Sequence, residues 1–287
     1  MKLHGLNALI TGGSQGLGRA IAETFLREGA SVMLCARDAA TLETTRTELS
    51  VIAEAGQKVL VRACDVSSEQ QVNVLASAAI AELGAVHVLV NNAGVYGPLG
   101  PTESVPLAEW TRAIEINLYG VLLPCRALIP HFKATGRGKI IIISGGGATN
   151  PLPNISSYAA SKAAVVRLME TLSEELKPHR IDVNAVAPGA LKTRMMQEVL
   201  AAGPEKVGAE FFAKNLKWAE TGATPPALAA NLCAYLASGE SDGVTGRLIS
   251  AQWDPWKTLH THRDEFGDIY TLRRIVPEDR GKKWDQQ

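Results

Sequence analysis

Tyr158 and Lys162 stand four residues apart in Tyr158-Ala159-Ala160-Ser161-Lys162. On a helix that spacing puts both side chains on one face, about one turn from each other. A phenol with a pKa near ~10 exchanges protons poorly at neutral pH unless a nearby cation favours the phenolate. Lys162 can supply that cation. Tyr-x-x-x-Lys by itself is a common pattern, and an exposed helix face is its usual explanation. The surrounding sequence has to decide what the pair means.

A second motif lies near the N-terminus, where Thr11-Gly12-Gly13-Ser14-Gln15-Gly16-Leu17-Gly18 follows a short apolar run and opens a helical pattern. The glycines allow a tight turn and close approach of a phosphate to the backbone. The following helix would offer unpaired N–H groups and its positive dipole end to a pyrophosphate. A Gly-rich turn alone is weak evidence. Placed at the head of a strand–helix–strand unit, it points to a dinucleotide held by Gly12, Ser14, Gln15, Gly16, Leu17 and Gly18.

Three further strand ends fit the same pocket. After the second strand, Ala36 stands where an acidic residue would bind both ribose hydroxyls, and Arg37 follows. A guanidinium there could pair with a 2′-phosphate, which favours NADP(H) over NAD(H). Asp38 reads as the cap of the next helix. Asp65 and Val66 follow the third strand, where a short carboxylate could meet the adenine amino group. Asn91-Asn92-Ala93-Gly94 follows the fourth, and small residues such as Ala93 and Gly94 let backbone approach the cofactor. Singly, each could be turn chemistry.

The elements that must carry these residues alternate along the chain. Apolar runs at Asn7–Thr11, Ser31–Ala36, Lys58–Cys64, Val86–Asn91, Lys139–Ser144, Ile181–Ala187 and Arg247–Ala251 read as strands. Helical patterns cover Gly18–Glu28, Thr41–Ala55, Glu69–Leu83, Leu107–Ala134, Ser157–Lys177 and Pro226–Ala237. Ile140-Ile141-Ile142-Ile143 is apolar throughout, as in a parallel sheet covered on both faces. The expectation is α/β: a Rossmann-type, doubly wound, seven-stranded parallel sheet with right-handed crossovers and helices on both faces. Ligands then bind outside the carboxyl ends of the strands.

Residues 1–253 fit one domain, with Thr193–Thr224 breaking the rhythm as a candidate lid over the substrate. An extension, Asp254–Gln287, carries Trp256, Phe266, Ile269, Tyr270, Leu272, Ile275 and Trp284, too many large apolar groups for a solvated tail. It is expected to dock on the body or on a neighbouring subunit. Of the 287 residues, 46% are hydrophobic and 20% charged, and 29 basic residues balance 29 acidic ones. That balance offers no net field to nucleic acid or an anionic membrane. No signal peptide or uninterrupted membrane span is evident, so a cytoplasmic protein is expected. Cys35, Cys64, Cys125 and Cys233 lack metal-ligand spacing and read as buried free thiols, with no metal site implied.

Taken together, Thr11–Gly18, Asn91–Gly94, Asn117, Tyr158 with Lys162, and Pro188-Gly189-Ala190-Leu191-Lys192-Thr193 resemble the short-chain dehydrogenase/reductase family over residues 3–253. The resemblance implies that Tyr158 exchanges a proton with the substrate oxygen while hydride moves between nicotinamide and the carbinol carbon. It also implies that Lys162 lowers the tyrosine pKa and holds the nicotinamide ribose. Asn117 would position a water in a relay to Lys162, and Pro188, Gly189 and Thr193 would contact the nicotinamide end. The family usually carries a serine thirteen residues before the tyrosine, and this chain has Gly145 there. Ser144, one residue earlier on the opposite face of an ideal strand, is a candidate substitute. Alternatively the site works without the hydroxyl, or Asn154, Ser156 or a substrate group provides the donor.

The implied function is an NADP-dependent alcohol dehydrogenase or carbonyl reductase acting on a small-molecule secondary alcohol or ketone. A pocket walled by Tyr96–Leu99, Gly145–Asn154 and Thr193–Phe212 suits a polyol, sugar or cyclitol as readily as a linear ketone. The competing reading is a dinucleotide-binding sensor or structural subunit with impaired catalysis, favoured only by Gly145. A homo-oligomer, dimer or tetramer, is the expected assembly.

Overall fold

The computed structural model describes residues 1–282. Seven strands, β1 (Asn7–Thr11), β2 (Ser31–Ala36), β3 (Val59–Ala63), β4 (Val88–Asn91), β5 (Gly138–Ile143), β6 (Ile181–Ala187) and β7 (Leu248–Ser250), form one sheet in the order β3-β2-β1-β4-β5-β6-β7. Every neighbouring pair is parallel. Successive residues of β5 show why its sequence is apolar throughout. Ile140 and Ile142 enter the core on one face, and Ile141 and Ile143 the core on the other, as a period of two requires.

Among the described residues, ten α-helices surround the sheet: α1 (Gly16–Arg27), α2 (Ala39–Ser50), α3 (Glu69–Leu83), α4 (Leu107–Ile114), α5 (Gly120–Thr135), α6 (Ser156–Leu176), α7 (Arg194–Ala202), α8 (Pro204–Val207), α9 (Ala209–Thr221) and α10 (Pro226–Ala237). Phe25 of α1 and Tyr235 of α10 fill one face, while Leu75 of α3, Phe132 of α5 and Val166 of α6 fill the other. Asp38 starts α2 by accepting a 2.6 Å hydrogen bond from the Thr41 N–H, so its carboxylate is committed to helix capping.

The expected helix Leu107–Ala134 is present as one continuous helix, Leu107–Thr135, with a π turn inside it. That turn, Glu115–Tyr119, separates α4 from α5. The wider turn carries the fully buried Asn117, and such turns commonly re-aim one side chain at a functional site. By length and composition Leu107–Thr135 could cross a membrane. Its Leu128 and Phe132 are instead fully buried against Ile140 and Ile142, making it a core helix of this fold.

The described part of the extension, residues 254–282, lies on the body of its own chain. Trp256, Leu259 and Phe266 join the α1/α10 core. The Trp256 indole donates to the Ala251 carbonyl at 3.2 Å, and the Leu248 N–H of edge strand β7 donates to the Tyr270 carbonyl at 2.8 Å. Arg247 stacks on the Phe266 ring at 4.8 Å, and the Leu272 N–H reaches Glu170 Oε1 at 2.6 Å. Ile269 and Ile275 remain exposed. Trp284 lies outside the described residues.

Candidate active site

The strand order reverses between β1 and β4, where the connections leave in opposite directions and the carboxyl ends open a crevice. A cleft of ≈ 2130 Å³ follows that edge. One end is walled by Gly12, Ser14, Gln15, Gly16, Leu17, Arg37, Asp65 and Val66. Ala93, Gly94, Tyr158 and Lys162 stand in the middle, with Pro188, Gly189 and Thr193 beyond. Gly18, Asn91 and Asn117 are not part of the wall. Asn91 points into the α5 side, where its amide donates to Cys125 Sγ at 3.4 Å.

The Gly-rich turn is shaped for a ligand that approaches backbone. Gly12 has φ +64° and Gly16 φ +55°, both in the left-handed region that favours glycine. A Cβ on Gly18 would lie 2.2 Å from the Gly12 carbonyl oxygen, so this glycine packs the helix start under the turn. Thr11 and Asn92 stitch the turn to β4. The Thr11 hydroxyl accepts from the Asn92 and Ala93 N–H groups at 3.0 and 3.1 Å, and the Asn92 amide donates to the Gly12 carbonyl at 3.0 Å. The backbone cradle, the start of α1 and the exposed Arg37 fit a dinucleotide. Asp65 also faces this end. Burial pushes its carboxyl up, but hydrogen bonds from Ser67 and Arg112 outweigh that and hold it below its ordinary value.

Across the cleft, Thr193 precedes α7, and its methyl lies 3.6 Å from where a Cβ of Gly16 would stand. The segment after β6 therefore closes toward the Gly-rich turn. Its ends are tied together, because the Thr224 N–H donates to the Ala190 carbonyl at 2.7 Å. Between those ends the irregular stretch is helical, as α7, α8 and α9. Gly203 (φ +77°) and Gly208 (φ +84°) make the corners.

Tyr158 and Lys162 share the inner face of α6. Both are buried, with Lys162 Nζ 5.6 Å from the Tyr158 ring centre and donating to the Ile143 carbonyl at 2.8 Å. Burial lowers the lysine pKa to about 8. Burial also raises the Tyr158 phenol well above its ordinary value, with Tyr96 adding to the effect. Asn117 braces the pair from the π turn. Its carbonyl oxygen accepts the Val95 N–H at 2.8 Å, and its amide donates to the Val95 carbonyl at 2.9 Å and to Ser161 Oγ at 3.0 Å. That side chain is committed to protein contacts. A Cβ on Gly94 would touch both the Asn117 carbonyl oxygen and Lys162 Nζ, at 3.3 and 3.6 Å.

At the departure from the family pattern, the phenol fills the space that a side chain would need. A Cβ on Gly145 would lie 2.2 Å from the Tyr158 hydroxyl oxygen. Ser144 reaches the cleft wall, but its hydroxyl oxygen is enclosed and unpartnered. Its N–H extends the sheet by donating to the Val186 carbonyl at 2.8 Å. Gly145→Ser is accordingly expected to lower kcat/KM or leave it unchanged, because the added side chain must displace the phenol. A gain of ~10-fold or more, about 1.4 kcal/mol of transition-state stabilisation, would contradict that reading.

Tyr96 is the residue whose importance sequence reasoning underrates. Its ring meets Tyr158 edge-on, with centres 4.8 Å apart at 68°, and meets Phe211 of α9 at 6.4 Å and 86°. Of the expected pocket wall, Gly97, Pro98, Leu99, Gly147, Ala148, Pro153, Asn154, residues 198–210 and Phe212 are not in it, whereas Trp218 and Trp253 are. All four cysteines are free and buried. Among the described residues no cluster of three His, Cys, Asp or Glu side chains could hold a metal.

The geometry is that of a Rossmann-fold oxidoreductase with a tyrosine–lysine centre, and the comparisons agree. The sequence profile of the short chain dehydrogenase family matches residues 6–203, and the chain belongs to that family. It is 32% identical over 256 residues to 7alpha-hydroxysteroid dehydrogenase of Escherichia coli (strain K12), covering 87% of this chain and 94% of that protein. The crystal structure of levodione reductase superposes with a TM-score of 0.79 at 29% identity, covering 86% of this chain and 96% of that one. A structure of 7alpha-hydroxysteroid dehydrogenase with NADH and 7-oxo glycochenodeoxycholic acid superposes with a TM-score of 0.72 at 31% identity, covering 87% and 93%. The protein is a nicotinamide-dependent oxidoreductase acting on CH–OH and C=O groups.

Proposed function

We propose that the chain is an NADP(H)-preferring carbonyl reductase and alcohol dehydrogenase for a cyclic or otherwise compact secondary alcohol–ketone pair. The observation that carries this reading is the convergence of Tyr158 and Lys162 in one cleft with the Gly-rich turn and Thr193. A bound nicotinamide dinucleotide supplies or accepts the hydride. The chain's own residues do the rest. Gly12–Gly16 and the start of α1 cradle the pyrophosphate, while Pro188, Gly189 and Thr193 flank the nicotinamide end. Lys162 holds a positive charge near the ribose and the phenol. Tyr158, kept protonated by burial, is a proton donor to a carbonyl oxygen. Asn117 positions the loop and helix that face Lys162.

Cofactor preference rests on the tip of β2. Arg37 is exposed at the cleft and makes no ion pair among the described residues, and the carboxylate of Asp38 is taken up by the α2 cap. Ala36→Asp combined with Arg37→Ala should therefore shift preference from NADP toward NAD. The new carboxylate would repel a 2′-phosphate that has lost its cation. Titration of both cofactors checks this, and an unchanged ratio of dissociation constants would show that this tip does not read the phosphate.

Leu152, Met195, Phe211, Trp218 and Trp253 wall the substrate end. That surface favours an apolar carbon frame over the polyol, sugar or cyclitol suggested by the Gly, Asn and Ser content. The E. coli relative carries hydroxysteroid in its name and the solved relative levodione, both consistent with a cyclic ketone substrate. Four buried free thiols support a reducing, cytoplasmic setting. The exposed Leu107 and Tyr119 on the α4–α5 rod support a homo-oligomer, for which sedimentation is the check. Gly145 is the one feature favouring a dinucleotide sensor instead. Following nicotinamide absorbance with NADPH and NADH over a panel of cyclic ketones separates the two. Turnover supports the enzyme, and tight cofactor binding without turnover on any ketone supports the sensor.

A further inference from the structure

A ketone oxygen gains negative charge as the carbon is reduced, and donors aimed at that oxygen stabilise the change. Tyr158 can meet the oxygen from one side. On the other side the usual serine is missing, and its candidate replacements are engaged elsewhere. Ser144 Oγ is enclosed by protein. Ser156 Oγ accepts the Trp110 indole N–H at 3.0 Å. The Asn154 amide lies against the corner at Gly208, 3.2 Å from where its Cβ would stand, and Asn154 is not in the cleft wall.

Tyr96 is not so engaged. It lines the same cleft as Tyr158, edge-on at 4.8 Å, and meets Phe211 of α9 edge-on at 6.4 Å. Neither phenol hydroxyl makes a hydrogen bond among the described residues. We propose that the Tyr96 hydroxyl donates the second hydrogen bond to the substrate oxygen, so that two phenols hold the oxygen where relatives use a serine and a tyrosine. This inference rests on the carbonyl-reductase reading above and assigns a donor within it. Tyr158 gives up its proton to the oxygen, and Tyr96 keeps its own. Burial raises Tyr96 to about 12, so it stays protonated and able to donate throughout the neutral range. The arrangement also gives the absence at Gly145 a physical sense, since the Tyr158 phenol occupies the room a serine would take.

Tyr96→Phe tests this cleanly, because it removes one oxygen and keeps the ring that packs on Tyr158 and Phe211. The measurements are kcat and KM for reduction of a cyclic ketone series beginning with cyclohexanone, the dinucleotide dissociation constant, and the melting temperature. The expected result is a fall of ~10- to 100-fold in kcat/KM, at or just below the lower end for loss of one oxyanion donor, with cofactor affinity and melting temperature unchanged. A fall smaller than tenfold, or one matched by an equal loss of cofactor affinity, overturns the assignment while leaving the reductase reading intact. If the wild-type protein reduces none of the ketones, the reductase reading fails and this inference falls with it.

Discussion

Tyr158→Phe is expected to lower turnover by at least ~10²-fold while leaving dinucleotide affinity nearly unchanged, since general acid–base groups contribute 10²- to 10⁴-fold. The substitution removes a single hydroxyl. The ring, its edge-on contact with Tyr96 and its place over Gly145 are retained. The lost hydroxyl opens on the cleft and makes no hydrogen bond among the described residues, so folding stability should change little. Steady-state rates with both cofactors, beside a fluorescence titration of cofactor binding, read the two effects separately. Wild-type turnover in the variant would show that another group moves the proton. A matched loss of cofactor affinity would show that the phenol chiefly shapes the dinucleotide site.

Gly18→Ala should damage the other half of the site, and for a different reason. A methyl group there would stand 2.2 Å from the Gly12 carbonyl oxygen and 2.5 Å from the Asn92 amide nitrogen. The first of these is backbone and cannot swing aside. Relief requires α1 to move away from the turn, which opens the contact between Asn92 and Gly12 and displaces the N–H groups proposed to hold the pyrophosphate. We expect a loss of ~2–3 kcal/mol in stability, in the range for overpacking. Dinucleotide affinity should fall ~10²-fold or more. Chemical denaturation and a cofactor thermal-shift series check both. Normal affinity in the variant would mean that the turn tolerates a wider helix–strand spacing than the geometry allows.

Much of this was legible before any coordinates, where local chemistry punctuates the chain. The structure matches the expected bounds of α3 and α10 residue for residue. Ser68 caps the first, Gly84 ends it in the left-handed conformation, and Pro225–Pro226 open the second. β1, β2 and β6 match equally well, because their apolar runs end at turns. Tertiary placement was not legible. One extra residue in the π turn leaves the apolar pattern of Leu107–Ala134 intact, so nothing in the sequence marks how Asn117 is re-aimed. The broken rhythm of Thr193–Thr224 conceals three helices, because Gly203 and Gly208 interrupt the pattern at each corner. Tyr96 gains its meaning only when α6 and α9 meet on either side of it. The apolar residues of the extension signal docking, but not that Trp256 and Phe266 would enter the α1/α10 core.

The proposed reaction is direct hydride transfer to a carbonyl carbon, with Tyr158 as the proton donor. Transfer from a cofactor carrying deuterium at nicotinamide C4 tests it most directly. Protein, labelled NADPH and the best cyclic ketone found are mixed, and the alcohol product is analysed by mass spectrometry. One deuterium per product molecule is expected, with the labelled alcohol formed at least ~10²-fold more slowly by the Tyr158→Phe protein. Unlabelled alcohol, or cofactor that binds tightly and is never consumed, would contradict it.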